Sequence, residues 1–181
     1  MKLTRGFSVL EVMVSILIGL LLLMATYSVF ILSQRTEKPI ANRAEITQNQ
    51  RAILDRVTRE LRQANDFVTT LPDDEILFED GHGVISNDPV QYIKYHLSGS
   101  DLYREILYYY FAADPLTHVL HDELDQFGNP PLVQSVEDKI IGEYINSLTF
   151  SGNGTITISL EFIKNGQTLI ITTDVSPRNL N

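Results

Sequence analysis

The sequence predicts an α+β protein: a long N-terminal helix, membrane-spanning in its first half and amphipathic in its second, packed on an antiparallel β-sheet body. Three observations carry this expectation. Of the 26 residues from Phe7 to Leu32, 20 are apolar. Apolar residues then recur at helical spacing from Ile46 to Val68. From Leu71 onward, runs rich in Ile, Thr, Tyr and Phe are separated by Gly- and Asn-containing turns.

Residues 7–32 come first. At ~1.5 Å per residue a helix of this length covers roughly 39 Å, more than a ~30 Å hydrocarbon core. Only Ser8, Glu11, Ser15, Gly19, Thr26 and Ser28 interrupt the apolar character. Lys2 and Arg5 precede the run, as in a secretory signal. Such a signal has an apolar core of about 7–15 residues and a small-residue cleavage site. This run is longer, and no A-x-A site follows it. Lys2 and Arg5 favour a cytoplasmic amino end, but Arg35, Lys38 and Arg43 flank the far end, so the charge rule is nearly balanced.

Residues 33–68 continue as an amphipathic helix. The opening SQRTEKPIANRAE is polar, and Pro39, which has no amide donor, predicts a kink or interruption. Ile46, Ile53, Leu54, Val57, Leu61, Ala64 and Val68 follow steps of three, four and seven. Arg51, Asp55, Arg56, Arg59, Glu60 and Arg62 occupy the other faces. Asp55 and Arg59 can pair across one turn, an effect of ~0.2–0.5 kcal/mol. Such a helix needs an apolar partner, and the β-rich sequence that follows supplies one. The seam lasts about three heptads, short for a coiled-coil stalk.

Residues 69–181 form the β-rich body. VQYIKYHL and LYREILYYYF are predicted strands joined by SGSD. NSLTF, TITISLEFI and QTLIITTDV follow, joined by SGNG and by Asn165-Gly166, a strong hairpin pair.

Composition narrows the function classes. The net charge is −9, with acidic stretches such as PDDEILFED and HDELDQ beyond residue 70. A nucleic-acid-binding body needs a basic footprint, so no nucleic-acid contact is predicted. There is no cysteine, hence no disulfide framework and no thiolate chemistry. His118 and His121, beside Asp122 and Glu123, have metal-ligand character, but the spacing fixes no third ligand, so neither metal nor cofactor is expected. DELDQFGN lacks the calcium-loop spacing. GHG at 81–83 reads as a turn, not a phosphate cradle. Six of the eight tyrosines fall between 92 and 110, where half-buried strand positions account for them. The stretch 113–131, with Pro115, Pro130 and Pro131, reads as an exposed loop suited to partner contact. No Ser-His-Asp set or closely spaced carboxylate pair supports catalysis, so an enzyme is not expected.

Glu11 needs a separate explanation. A lone carboxylate deep in a bilayer costs ~2.5–3.5 kcal/mol on insertion scales, and such residues usually have a partner. Either it lies close enough to the membrane edge to reach water, or something pairs with it. Ser8 and Ser15 are near its helical face and either share its polarity or serve as small packing residues.

The string Gly6-Phe7-Ser8-Val9-Leu10-Glu11-Val12 resembles the processing site of type IV prepilins. Four features coincide: a basic leader, a Gly-Phe junction, a carboxylate five residues into the mature chain, and an apolar helix beyond it. The resemblance implies that residues 1–6 are a leader removed by prepilin peptidase. The cut would fall between Gly6 and Phe7, and Phe7 would become an N-methylated amino terminus. It further implies that Glu11 of an incoming subunit pairs with the terminal amine of a neighbour. YIKYHLSGSDLYREI, EYINSLTFSGNG and TTDVSPRNLN resemble the J-type minor pseudopilin of type II secretion and the W-type minor pilin of type IV pili. The C-terminal disulfide pair of major pilins is missing, and Pro39 lies later than their helix-bending proline.

From this resemblance the expectation is a pilin-like fold and a structural subunit that helps initiate and cap a pilus or pseudopilus. Its partners would be prepilin peptidase, other minor subunits, the major subunit, the inner-membrane assembly platform and membrane lipid. Its body would lie outside the cytoplasm, on a single span of the bacterial inner membrane. The rival expectations are a single-pass anchored binding or sensor protein and a tethered enzyme using His118 and His121.

Overall fold

The computed structural model describes residues 8–81 and 89–179, with the backbone alone for 35–42. The fold is mixed α+β, with one long helix and two antiparallel sheets. Two compact units divide it, Met1–Ala44 and Glu45–Asn181.

The helix, α1, runs Val9–Gln63. Pro39 does not interrupt it, contrary to the sequence expectation. The penalty for an internal proline is ~3 kcal/mol at one position, and the flanks Glu37, Lys38, Ala41, Arg43, Ala44 and Glu45 are strong helix formers. The helix also ends earlier than the predicted Val68. Beyond Gln63 the backbone donors turn to a strand: Asn65 N–H bonds Glu79 O at 3.1 Å and Val68 N–H bonds Leu77 O at 2.9 Å. Asn65 and Asp66 are weak helix residues, which makes this the natural exit point.

In the Met1–Ala44 unit, Val9–Gln34 is long and apolar enough to cross a membrane, with a mean hydropathy of 2.5 and no part buried within the fold.

In the Glu45–Asn181 unit the first sheet contains β1 (Ile76–Glu79), β2 (Tyr92–Ser98), β3 (Asp101–Phe111), β4 (Asp114–Val119) and β5 (Leu132–Gly142). β3 is central. It pairs with β2 through residues 101–107 and with β4 through 109–111 along one edge, while β5 takes the other through 102–110. The second sheet is β6 (Ile145–Ser151), β7 (Ile156–Lys164) and β8 (Gln167–Val175), in that order. Two sheets therefore replace the single sheet expected. Asp73 and Phe150 stitch the Leu71–Glu75 segment to the second sheet by exchanging both backbone bonds, at 3.0 and 2.8 Å. The stretch 113–131 is not loop throughout, because β4 occupies part of it.

One apolar core serves this unit. Ile46, Ile53, Val57 and Leu61 supply the helical stripe. Ile76, Phe78, Ile93, Tyr95 and Leu102 meet it from the first sheet, and Leu148, Phe150, Ile158, Leu160 and Phe162 from the second. β7 alternates buried and half-buried positions, as a strand with one face on the core must. The Asn165-Gly166 hairpin forms as predicted, with φ of 50° and 78° at its two central residues.

The end of α1 is sealed from far away in sequence. Arg178 N–H donates to Arg62 O at 3.0 Å, and Asn179 Nδ2 donates to Gln63 O at 3.0 Å. These bonds satisfy carbonyls that a helix end leaves without internal partners. Gly81 packs on the same spot: a Cβ there would lie 2.2 Å from Gln63 O, and its φ is +73°, so only glycine fits.

Candidate functional site

Glu11 sits in the first turn of α1. Its Oε2 accepts the Ser8 N–H at 3.3 Å, while Ser8 Oγ accepts the Leu10 N–H at 3.3 Å. This reciprocal arrangement is a capping box, encoded by Ser-x-x-Glu. The Ser-x-x-Glu spacing that sets this cap lies within four residues of the sequence, a local signal distinct from a membrane-edge position or a partner charge. The position also suits the charge, since a helix N-terminus carries partial positive charge. Ser15 turns its hydroxyl to Glu11 O at 2.8 Å rather than to the carboxylate, so it satisfies itself within the helix. Thr26 and Ser28 do the same, donating to carbonyls one turn back. These three hydroxyls are thereby satisfied within the helix, as a helix fit to cross a membrane favours. Gly6 and Phe7, the expected processing junction, lie outside the described residues.

The polar centre of the Glu45–Asn181 unit is Glu60. Its carboxylate accepts Arg104 Nε at 3.1 and 2.9 Å, Arg56 Nε at 3.4 Å, and the Tyr95 hydroxyl. Arg104 also reaches Glu137 at 3.4 Å, and Lys139 reaches the same Glu137 oxygen at 3.1 Å. The helical i,i+4 pair is thus Arg56–Glu60, and the expected Asp55–Arg59 pair does not form. Burial works against the Arg104 charge, but Glu60 outweighs it and holds the guanidinium pKa above its ordinary value. Both oxygens of Glu60 are engaged, so the cluster locks α1 to β2 and β3 and offers no free base to a substrate.

The two candidate histidines pack against different neighbours. His118 lies on β4, its ring stacked on Tyr108 at 4.1 Å and its Nδ1 3.1 Å from Val90 O. His121 stands edge-on to Tyr92 at 5.8 Å, and its backbone N–H donates to the Tyr92 hydroxyl at 3.0 Å. Among the described residues no three His, Asp or Glu side chains are grouped to hold a metal. Of the tyrosines, Tyr92 and Tyr95 are buried and Tyr103, Tyr108, Tyr109 and Tyr110 half-buried. Tyr92 and Tyr109 meet edge to face at 4.9 Å, a favourable ring geometry.

These phenols give a pH signature. Burial pushes Tyr92 up to about 12, and Tyr95 is raised too, by burial and then by the Glu60 charge beside it. A group raised in the folded state contributes stability that is complete below its unfolded pKa and is lost as pH rises. The unit is therefore expected to stay folded up to about pH 10, the ordinary tyrosine range, and to lose stability from there toward pH 12. Tyrosinate absorbance and near-UV circular dichroism, followed together, check this. Full ionisation of all tyrosines with native dichroism retained would contradict it.

Comparison with protein-family models, curated proteins and solved structures returned no match.

Proposed function

We propose that this chain is a minor pilin or pseudopilin, of the W-type or J-type branch, that helps initiate and cap a type IV pilus or type II secretion pseudopilus. The observation that carries the reading is the Val9–Gln34 helix. It is fit to span a membrane, buries nothing in its own fold, and bears one carboxylate in its first turn. In this reading prepilin peptidase cuts between Gly6 and Phe7 and methylates the Phe7 amine, and the body stands outside the inner membrane. The new amine is cationic. Placed near Glu11 of an adjoining subunit, it forms a pair in a poorly hydrated place, where each charge alone is costly. The pair then acts as a register device for staggered helices. The α+β body, with the amphipathic half of α1 on a β-sheet core, is compatible with a pilin-like fold. The chain's role is structural, and its partners are other minor subunits, the major subunit and the assembly platform.

The capping box favours a second reading: a plain single-pass anchor in which Glu11 merely finishes the helix. The two readings separate on Glu11→Gln. Glutamine still caps, because Gln is as acceptable as Glu in this box, but it removes the charge. On the filament reading, Glu11→Gln and Glu11→Leu are both processed, and both are lost from sheared or purified filaments. Normal incorporation of Glu11→Gln would overturn the pairing, and if Glu11→Leu alone were impaired the residue would be a cap only. Intact mass of the membrane-extracted chain is expected to lack MKLTRG and to carry one added methyl; an unprocessed terminus would remove the filament reading.

A further inference from the structure

We propose that an arginine-lined groove on the outer face of α1 is a docking site for an acidic face of a neighbouring protein subunit. The groove, about 520 Å³, is lined by Asp55, Thr58, Arg59, Arg62, Gln63 and Arg178. Arg51 lies one and two turns before Asp55 and Arg59 on the same side of the helix, within a ~100° arc. The stripe from Arg51 to Arg62 covers ~17 Å at ~1.5 Å per residue.

Ion pairing in this unit sets the stripe apart. Arg56, Lys94, Arg104, Lys139 and Lys164 each pair with a carboxylate of their own chain. Among the described residues Arg51, Arg59, Arg62 and Arg178 form no such pair. The chain as a whole carries a charge of −9, so acidic partners are abundant and these four arginines are nevertheless left out. Three of them converge on one groove against the single carboxylate of Asp55. Arg178 is also held in place, because its own N–H donates to Arg62 O and the next residue caps Gln63 O. A guanidinium on a pinned backbone loses less freedom on binding. Guanidinium forks match carboxylates in bidentate geometry.

The chemistry favours protein carboxylates over a nucleic acid. No aromatic ring lines the groove to stack a base, and the basic footprint is one short helical stripe on an otherwise acidic chain, too small to track a polyphosphate backbone. The choice of a neighbouring subunit as the partner rests on the filament reading; the acid-binding chemistry does not.

The test uses the full chain in zwitterionic nanodiscs. The probe is a labelled Glu/Ala helical peptide about twelve residues long, matching the stripe. Binding by fluorescence anisotropy is expected, weakening with salt. Arg59→Glu combined with Arg62→Glu should weaken it about tenfold or more. A control of equal charge change, Lys139→Glu with Thr149→Glu and Thr168→Glu, should leave it within about twofold. All these sites are exposed, and thermal unfolding confirms that the variants fold. Absence of peptide binding, or equal loss in the control, would overturn the proposal. So would Arg59- and Arg62-dependent binding of labelled duplex DNA or phosphatidylglycerol vesicles tighter than the peptide, or of a second copy by sedimentation. Glu11→Gln should bind the peptide normally, so loss of the filament reading and loss of this site are separate outcomes.

Discussion

Replacing Glu60 by alanine is expected to cost the Glu45–Asn181 unit about 3–5 kcal/mol, the range for breaking a buried charge pair by removing one partner. The side chains of Glu60 and Arg104 are only 12% and 10% exposed. Without Glu60, Arg104 keeps only the longer contact to Glu137 at 3.4 Å, and the Tyr95 hydroxyl, inside the core, has lost its acceptor. Burial that was matched by a carboxylate then falls on an isolated guanidinium. Glu60→Met with Arg104→Met and Tyr95→Phe should recover most of the loss, since apolar residues of similar volume leave neither a charge nor a buried hydroxyl stranded. Denaturant unfolding of the full chain in detergent, followed by near-UV dichroism, measures both. A loss below about 1 kcal/mol for Glu60→Ala would place the pair with weak surface bridges instead.

Phe78→Ala is the second large loss, about 3–5 kcal/mol. Phe78 is fully buried on β1, with the Phe67 ring at 5.9 Å and the Tyr95 ring at 6.2 Å. Its strand also receives the chain leaving α1, through the Phe67–Phe78 bridge. Truncation therefore removes transfer energy and leaves a cavity between rings that cannot easily collapse. Phe78→Leu should cost distinctly less, because it fills most of that volume. The same unfolding measurement serves, and equal losses for the two variants would argue that shape at this point matters more than volume. Because Glu60 and Phe78 both touch Tyr95, their double variant should not be additive.

What the sequence made legible was the local content. The apolar span, the Ile46–Leu61 stripe and the Asn165-Gly166 turn each follow from residues within a few positions of one another. β1 did not, because ILFE is four residues inside an acidic string and becomes a strand by pairing with β2. β5 was equally hidden: Leu132, Val133, Val136 and Ile140 are all exposed, so no period-2 apolar face marks it. The helical ion pair had two equal i,i+4 candidates, Asp55–Arg59 and Arg56–Glu60, and Arg104, 44 positions from Glu60, decided between them. At the candidate site, the Ser8–Glu11 box was readable in four residues. The unpaired arginines were not, since being unpaired depends on where every carboxylate of the fold ends up.

The seal on Gln63 by Asn179 joins positions 116 apart. A ribosome adding roughly 5–20 residues per second needs on the order of ten seconds to make that interval. Throughout that delay the last carbonyls of the helix must rely on water. The body is thus a late-maturing object, and the interval before closure is when a chaperone has its chance at it.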